Sequence, residues 1–224
     1  MAGQGVLAFW HDVAAGGEAE FDQWHLREHI PERLAVPGFL RCRRYVTLGD
    51  PPRYFYFYET ESLDTLQSPA YLARLGDPTP WTRRTMPLVR NNTRTACRLV
   101  ASAGAGVGGA IATLRLGPRP GHEEALRAWL TGSALPGAVE HPGIVAGHLL
   151  EGDRGVSGAA RGDEEKLLAT PDALVRWVVL VEGIDPGALE GTCRDLLGAE
   201  ALARRGATED VALGFYRLQL IFGP

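Results

Sequence analysis

The sequence predicts an α+β fold in which two βαββαβ units pack sheet against sheet, and three observations carry that expectation. First, sliding the 224-residue chain against itself by 105 positions superposes Glu18 on Glu123, Trp24 on Trp129, Pro31 on Pro136, Pro37 on Pro142 and Gly38 on Gly143. Second, strand-like and helix-like stretches follow one another in the same order in each half. Third, with 45% hydrophobic and 22% charged residues the composition is that of an ordinary globular protein, long enough for two units that share a core.

In the first half, Gly5 to Val13 (GVLAFWHDV) reads as a strand, closed by Gly16-Gly17. A helix starts near Glu18, and Pro31 is expected to interrupt or end it near Ile30, because proline has no amide to donate. Val36-Pro37-Gly38 is a turn, and Phe39 to Leu48 is the second strand. After Gly49-Asp50-Pro51-Pro52 comes the aromatic strand Tyr54 to Glu61. A helix is expected from Ser62 to about Leu75, with Gly76 closing it and Pro78 and Pro80 forbidding its continuation. The last strand runs from about Asn92 to Ala101. This is the ferredoxin-like order.

The second half repeats it: strand Ala110 to Leu116, helix Gly121 to about Leu135, strand Ile144 to Glu151. The stretch 152–165, rich in Gly, Arg and Asp, reads as a loop. Strand Leu174 to Glu182, helix Pro186 to about Ala203 and strand Val211 to Phe222 complete the chain. The expected units are residues 1–103 and 110–224, joined by a glycine-rich linker at 104–109. Each sheet hides one face under helices, and the facing sides enclose a cavity.

Several function classes are disfavoured. A net charge of −4 with no basic stripe argues against nucleic acid. No apolar run reaches the length of a bilayer span, and no export signal is seen, so a cytoplasmic location is expected. Three cysteines far apart (Cys42, Cys97, Cys193) suit a reducing compartment and neither a disulfide framework nor a cysteine zinc site. Gly104-Ala-Gly106-Val-Gly108-Gly109 matches G-x-G-x-x-G, but a strand follows it where a dinucleotide site needs a helix. His25-x-x-Glu28-His29 matches an inverted zinc-protease motif, yet no third ligand is marked on a second helix, and no metal is expected.

The unshared polar residues are where function is sought. W-H-L-R-E-H-I-P-E-R in the first copy faces W-L-T-G-S-A-L-P-G-A in the second, so His25, Glu28 and His29 stand against Leu130, Ser133 and Ala134. At 100° per residue Phe21, Trp24, His25 and Glu28 share a helix side, and the apolar twin stripe Leu126, Trp129, Leu130 marks that side as inward. His25 therefore occupies a core leucine's place, where an unpaired polar group would cost about 1–3 kcal/mol. Glu28 and His29 stand near it, and a histidine beside a carboxylate is suited to proton transfer. A surface salt-bridge helix is the bland alternative, and on it Arg27 and Glu32, with His29 as a further candidate, read as solvated charges.

The strands supply a second wall. Tyr54, Tyr56 and Tyr58 alternate with Phe55 and Phe57, and phenylalanine is expected under the helices with the tyrosines toward the cavity. Arg41, Arg43 and Tyr45 oppose Leu40, Cys42 and Val46, while Arg98 opposes Cys97 and Leu99. His11 and Asp12 close the first strand near the end of this cavity. An aromatic, cationic lumen suits an oxygen-rich, anionic or phenolic molecule.

F-D-Q-W-H-L-R-E-H-I-P-E-R followed by V-P-G-F-L-R-C-R-R-Y resembles the helix and second strand of EthD-like proteins of the dimeric α+β barrel superfamily. The resemblance covers Gly5 to about Val100, with Trp24, His29 and Pro31 as its core. Only the Trp, Pro and Pro-Gly skeleton persists in the second half. Relatives in that superfamily include polyketide cyclases, muconolactone isomerases, cofactor-free monooxygenases and haem proteins, so the resemblance implies a small-molecule site between sheet and helices without choosing the chemistry. Duplication departs from the single-unit pattern and leaves open whether a homodimer forms or one chain closes its own barrel.

The leading expectation is a cofactor-independent lyase, isomerase or cyclase of catabolism or specialised metabolism. His25 or His29 would move the proton, Glu28 would orient it, and Arg43 with Tyr45 or Tyr56 would stabilise an enolate or carboxylate. Trp24, Arg98 and His11 join these as substrate contacts. The alternatives are a haem enzyme with a helix histidine as axial ligand and a binding protein without catalysis.

Overall fold

Where the sequence alternates or runs apolar, the backbone pairs; the computed structural model describes residues 1–159, 162–168 and 173–223. The strands are β1 (Gly5–Val13), β2 (Phe39–Thr47), β3 (Tyr54–Thr60), β4 (Val89–Gly104), β5 (Ala110–Leu116), β6 (Ile144–Gly152), β7 (Trp177–Gly183) and β8 (Ala212–Phe222). They close into one antiparallel barrel in the order β1-β3-β2-β8-β5-β7-β6-β4. The first four strands lie as β4-β1-β3-β2 and the last four, in the matching sequence, as β8-β5-β7-β6. The halves join along β2 with β8, where Cys42 faces Phe222, and along β4 with β6, where Cys97 faces Gly152. One chain therefore closes its own barrel and leaves no strand edge unpaired.

The first helix does not end at Pro31. It runs through α1 (Glu18–Trp24), a π turn at His25–His29, and α2 (Ile30–Leu34). Proline at 31 cannot donate to the carbonyl one turn back, and the widened turn before it, in which the Ile30 amide reaches the His25 carbonyl, absorbs the misfit.

Further differences have similar local causes. The helix expected over 62–75 is a 3₁₀ turn at Leu63–Gln67 and then α3 (Pro69–Gly76), with the Ser68 hydroxyl capping the Tyr71 amide. Pro80, read as a stop, is a start: it occupies the first turn of α4 (Pro80–Thr85) under a Thr79 cap. In the second half, α5 (Glu123–Trp129), a π turn at Leu130–Ala134 and α6 (Leu135–Val139) repeat the first helix, Pro136 included. The stretch read as a loop contains α7 (Arg154–Ala159) and a 3₁₀ turn at Glu165–Leu167, with residues 160–161 outside the described part. The next helix is broken at Gly198 into α8 (Pro186–Leu197) and α9 (Ala199–Arg204).

The barrel interior is packed. Val6, Ala8, Trp10, Tyr45, Phe55, Phe57, Ile111, Val178 and Tyr216 fill it, as an eight-stranded barrel allows. The expected facing of β3 is thus inverted: Phe55 and Phe57 point inward, while Tyr54, Tyr56 and Tyr58 lie beneath the helices with Phe21 and Trp24. A separate apolar cluster holds the second half's helices against the barrel. Among the described residues no helix is long and apolar enough to cross a membrane.

Candidate functional site

The cleft that matters lies outside the barrel, between the outer face of β1, β3 and β4 and the first half's helices. Phe9, Trp24, Tyr56 and Met86 form apolar walls, and His29, Arg33, Arg94 and Glu164 bring charge to it. It encloses about 480 Å³ of space between atoms, its mouth included.

Both helix histidines are buried, His25 at 0% exposure and His29 at 4%. The π turn keeps them on one face with rings 5.6 Å apart. His29 packs on Trp24, 4.4 Å between ring centres, and its Nδ1 has no hydrogen bond; the Glu164 carboxylate is 3.7 Å away. Burial first, then the neighbouring Arg33 and Arg74 guanidinium groups, hold His29 well below the usual imidazole pKa. His29 is accordingly a neutral proton acceptor at pH 7. Arg33 donates to Glu164 through Nη2, while its Nη1 is buried without a partner. Arg94 donates to the Tyr71 hydroxyl at 3.3 Å.

His25 does not line the cleft. Its Nδ1 accepts from Arg44 Nη1 at 3.3 Å, and its ring lies 4.5 Å from Tyr56 and stacks on Phe21. Burial and then Arg44 hold it far below its ordinary pKa. Arg44 in turn pairs with Asp22 and takes Gln219 at 3.0 Å. His11 is buried in the same aromatic layer, stacked on Tyr54 at 5.3 Å, its Nδ1 against the Asp12 carbonyl. Burial pushes its pKa down to about 4.

Other expected site residues lie elsewhere. Glu28 orients no histidine: it accepts from Thr79 at 2.6 Å and from Thr82 at 3.3 Å, and Thr82 accepts from the Trp24 indole at 3.1 Å. That network ties α4 to the first helix. Arg43 and Tyr45 face the barrel interior, as their alternation implied, and are buried there among packed side chains. Arg43 bonds Glu59 at 3.0 Å and Glu182 at 2.8 and 2.9 Å. Tyr56 is therefore on the opposite side of the sheet from the two residues it was grouped with. Arg98 is 63% exposed at its side chain and pairs with Glu151 at 3.5 Å.

Sequence reading missed Glu164, Arg44, Tyr71 and Arg94, and gave Arg33 no role. Arg44 carried a usable signal, since it shares the strand face of Leu40, Cys42 and Val46. Glu164 lies 131 positions from Arg33 in a stretch without periodicity, and nothing local announced it. Among the described residues, no group of three or more His, Cys, Asp or Glu is arranged to hold a metal ion.

No family model and no curated protein sequence matches the chain. Solved structures do. An anthrone oxidase-like protein superposes with a TM-score of 0.66 at 11% identity, covering 98% of this chain and 92% of the other. A structure named for a monooxygenase activity, from Fusobacterium nucleatum, gives 0.61 at 9% identity over 100% and 96%. One named for chlorite dismutase gives 0.61 at 14% identity over 98% and 96%. A haem-binding protein from Thermus thermophilus gives 0.55 at 13% identity over 97% and 92%. The fold is thus that of dimeric α+β barrel proteins, and identities this low establish the fold alone.

Proposed function

We propose that this chain is a small-molecule enzyme that uses cofactor-independent acid–base chemistry on a phenolic or enolisable carbonyl compound. The carrying observation is His29: a buried, neutral imidazole, its Nδ1 without a hydrogen bond, that borders a cleft which Arg33 and Arg94 also line. His29 takes the proton, the Glu164 carboxylate 3.7 Å from its Nδ1 stabilises the imidazolium that forms, and the Arg33 guanidinium supplies positive charge to the developing oxyanion. Trp24, Tyr56 and Phe9 hold a ring against the mouth. His25 and Arg44 position the layer beneath.

The name of the anthrone oxidase-like neighbour points the same way, since an anthrone is an enolisable aryl ketone. Haem suits the cleft poorly, because the His25 Nε2 and His29 Nδ1 atoms are buried against protein and present no nitrogen there for an axial bond. We also read the chain as an EthD-like protein whose halves, 1–103 and 110–224, arose by tandem duplication. The π turns at equivalent places and the repeated strand order support that reading.

Deuterium exchange in D₂O, followed by proton NMR on a panel of aryl ketones, β-diketones and phenols, tests the proton step directly. At least one compound is expected to exchange, and His29→Gln to slow it by about 100-fold or more. Compounds that bind yet never exchange would show a carrier and overturn the reading.

A further inference from the structure

A second constellation lies at one end of the barrel and shares no residue with the cleft. Ser102 on β4 stands directly across from His148 on β6, its Oγ 2.8 Å from His148 Nδ1. His148 Nε2 is 3.2 Å from Glu182 Oε1 on β7. Ser102 is exposed, while His148 and Glu182 are buried at 2% and 0%. This is a nucleophile–base–carboxylate chain in which only the nucleophile meets solvent, an arrangement recognised by geometry and roles, not by order in the sequence.

The carboxylate end is firmly set. Glu182 accepts Arg43 Nη1 through both oxygens and the Gly108 amide at 3.0 Å, and these partners with His148 outweigh burial and hold its pKa down to about 2. An anionic Glu182 accepts a hydrogen bond from Nε2–H, which leaves Nδ1 to accept from Ser102. Gly108 is required there, because a Cβ would lie 2.4 Å from the Gly183 carbonyl oxygen. The segment that matched a dinucleotide motif thus serves a carboxylate.

Ser102 and His148 open on a depression of about 780 Å³, mouth included, bordered by Arg41, Ala105, Gly106, Val107 and Ala146. Small apolar walls suit a short acyl chain, and Arg41, held to Glu59 at 2.9 and 3.1 Å, marks one rim.

We propose that Ser102, His148 and Glu182 form a hydrolytic site for short-chain esters. Ser102 Oγ attacks the ester carbon as its proton passes to His148 Nδ1. The tetrahedral intermediate collapses, the C–O bond to the alcohol breaks, and His148 returns the proton to the leaving oxygen. Water then adds to the acyl-serine by the same route, releasing the acid and restoring Ser102.

The test is to treat the whole chain with p-nitrophenyl acetate and, separately, with a fluorophosphonate, and to locate the adduct by peptide mass mapping. One adduct per chain on Ser102 is expected, with hydrolysis falling about 100-fold or more in Ser102→Ala. This substitution is at an exposed position and spares the buried partners. A chain unlabelled at Ser102, or a Ser102→Ala variant as fast as the parent, would show that the serine and histidine only bridge two strands and would overturn the proposal.

Discussion

Acid should unfold this protein earlier than its carboxylates require, because three imidazoles are sealed in the sheet–helix layer. His11 has a pKa of about 4 in the fold against 6.5 when solvated, chiefly through burial. Between those values the unfolded chain binds a proton that the folded chain refuses, so stability is complete above about pH 6.5 and is lost as pH falls toward 4. Each unit of pH in that window costs up to about 1.4 kcal/mol per group, so moving from pH 7 to pH 5 removes about 2 kcal/mol through His11 alone. His25 and His29, displaced in the same direction, add losses of the same sign. Total stabilities of single domains are only about 5–15 kcal/mol, so the loss is large. Glu182 does not mask it, since its contribution is present above the ordinary carboxylate pKa of 4.5 and fades only as pH falls toward about 2. Urea unfolding followed by tryptophan fluorescence at pH 7 and pH 5 measures the difference. His25→Leu, copying Leu130, should flatten the acid slope by one proton. An unfolding free energy unchanged within about 1 kcal/mol across that interval would refute the reasoning.

Two further outcomes are expected. Arg43→Met leaves Glu182 in the barrel with only His148 and the Gly108 amide and leaves Glu59 to Arg41, and should cost about 3 kcal/mol in urea unfolding; a loss below about 1 kcal/mol would mean that water reaches the carboxylates. Glu28→Gln weakens the charge-assisted bond from Thr79 and should cost about 1 kcal/mol in stability while leaving the proton-exchange rate of the cleft within about twofold; a loss of exchange comparable to that of His29→Gln would restore Glu28 to the site.

How much was legible follows from what is local. β1 was placed residue for residue, and the strand order within each half followed from the repeat. The inward side of the first helix was readable because the twin segment is plain hydrocarbon there, with Leu126 and Leu130 both at 0% exposure. Proline was harder to read. Pro31 sits inside a helix because a π turn makes room, and Pro80 begins one, although each breaks the ladder in isolation. The facing of β3 was misread because alternation separates two faces without saying which will be covered.

The sequence by itself determined an α+β class and the appearance of ionisable groups on the inward face of the first helix, since periodicity and composition act along the chain. Tertiary structure alone decided that the barrel closes within one chain, that its interior is filled and that Glu164 comes to His29 and Arg33. It also decided that Ser102, His148 and Glu182 fall in line. Those are contacts between segments far apart in sequence, fixed by how the sheet closes and which faces the helices cover, and neither spacing nor propensity encodes them.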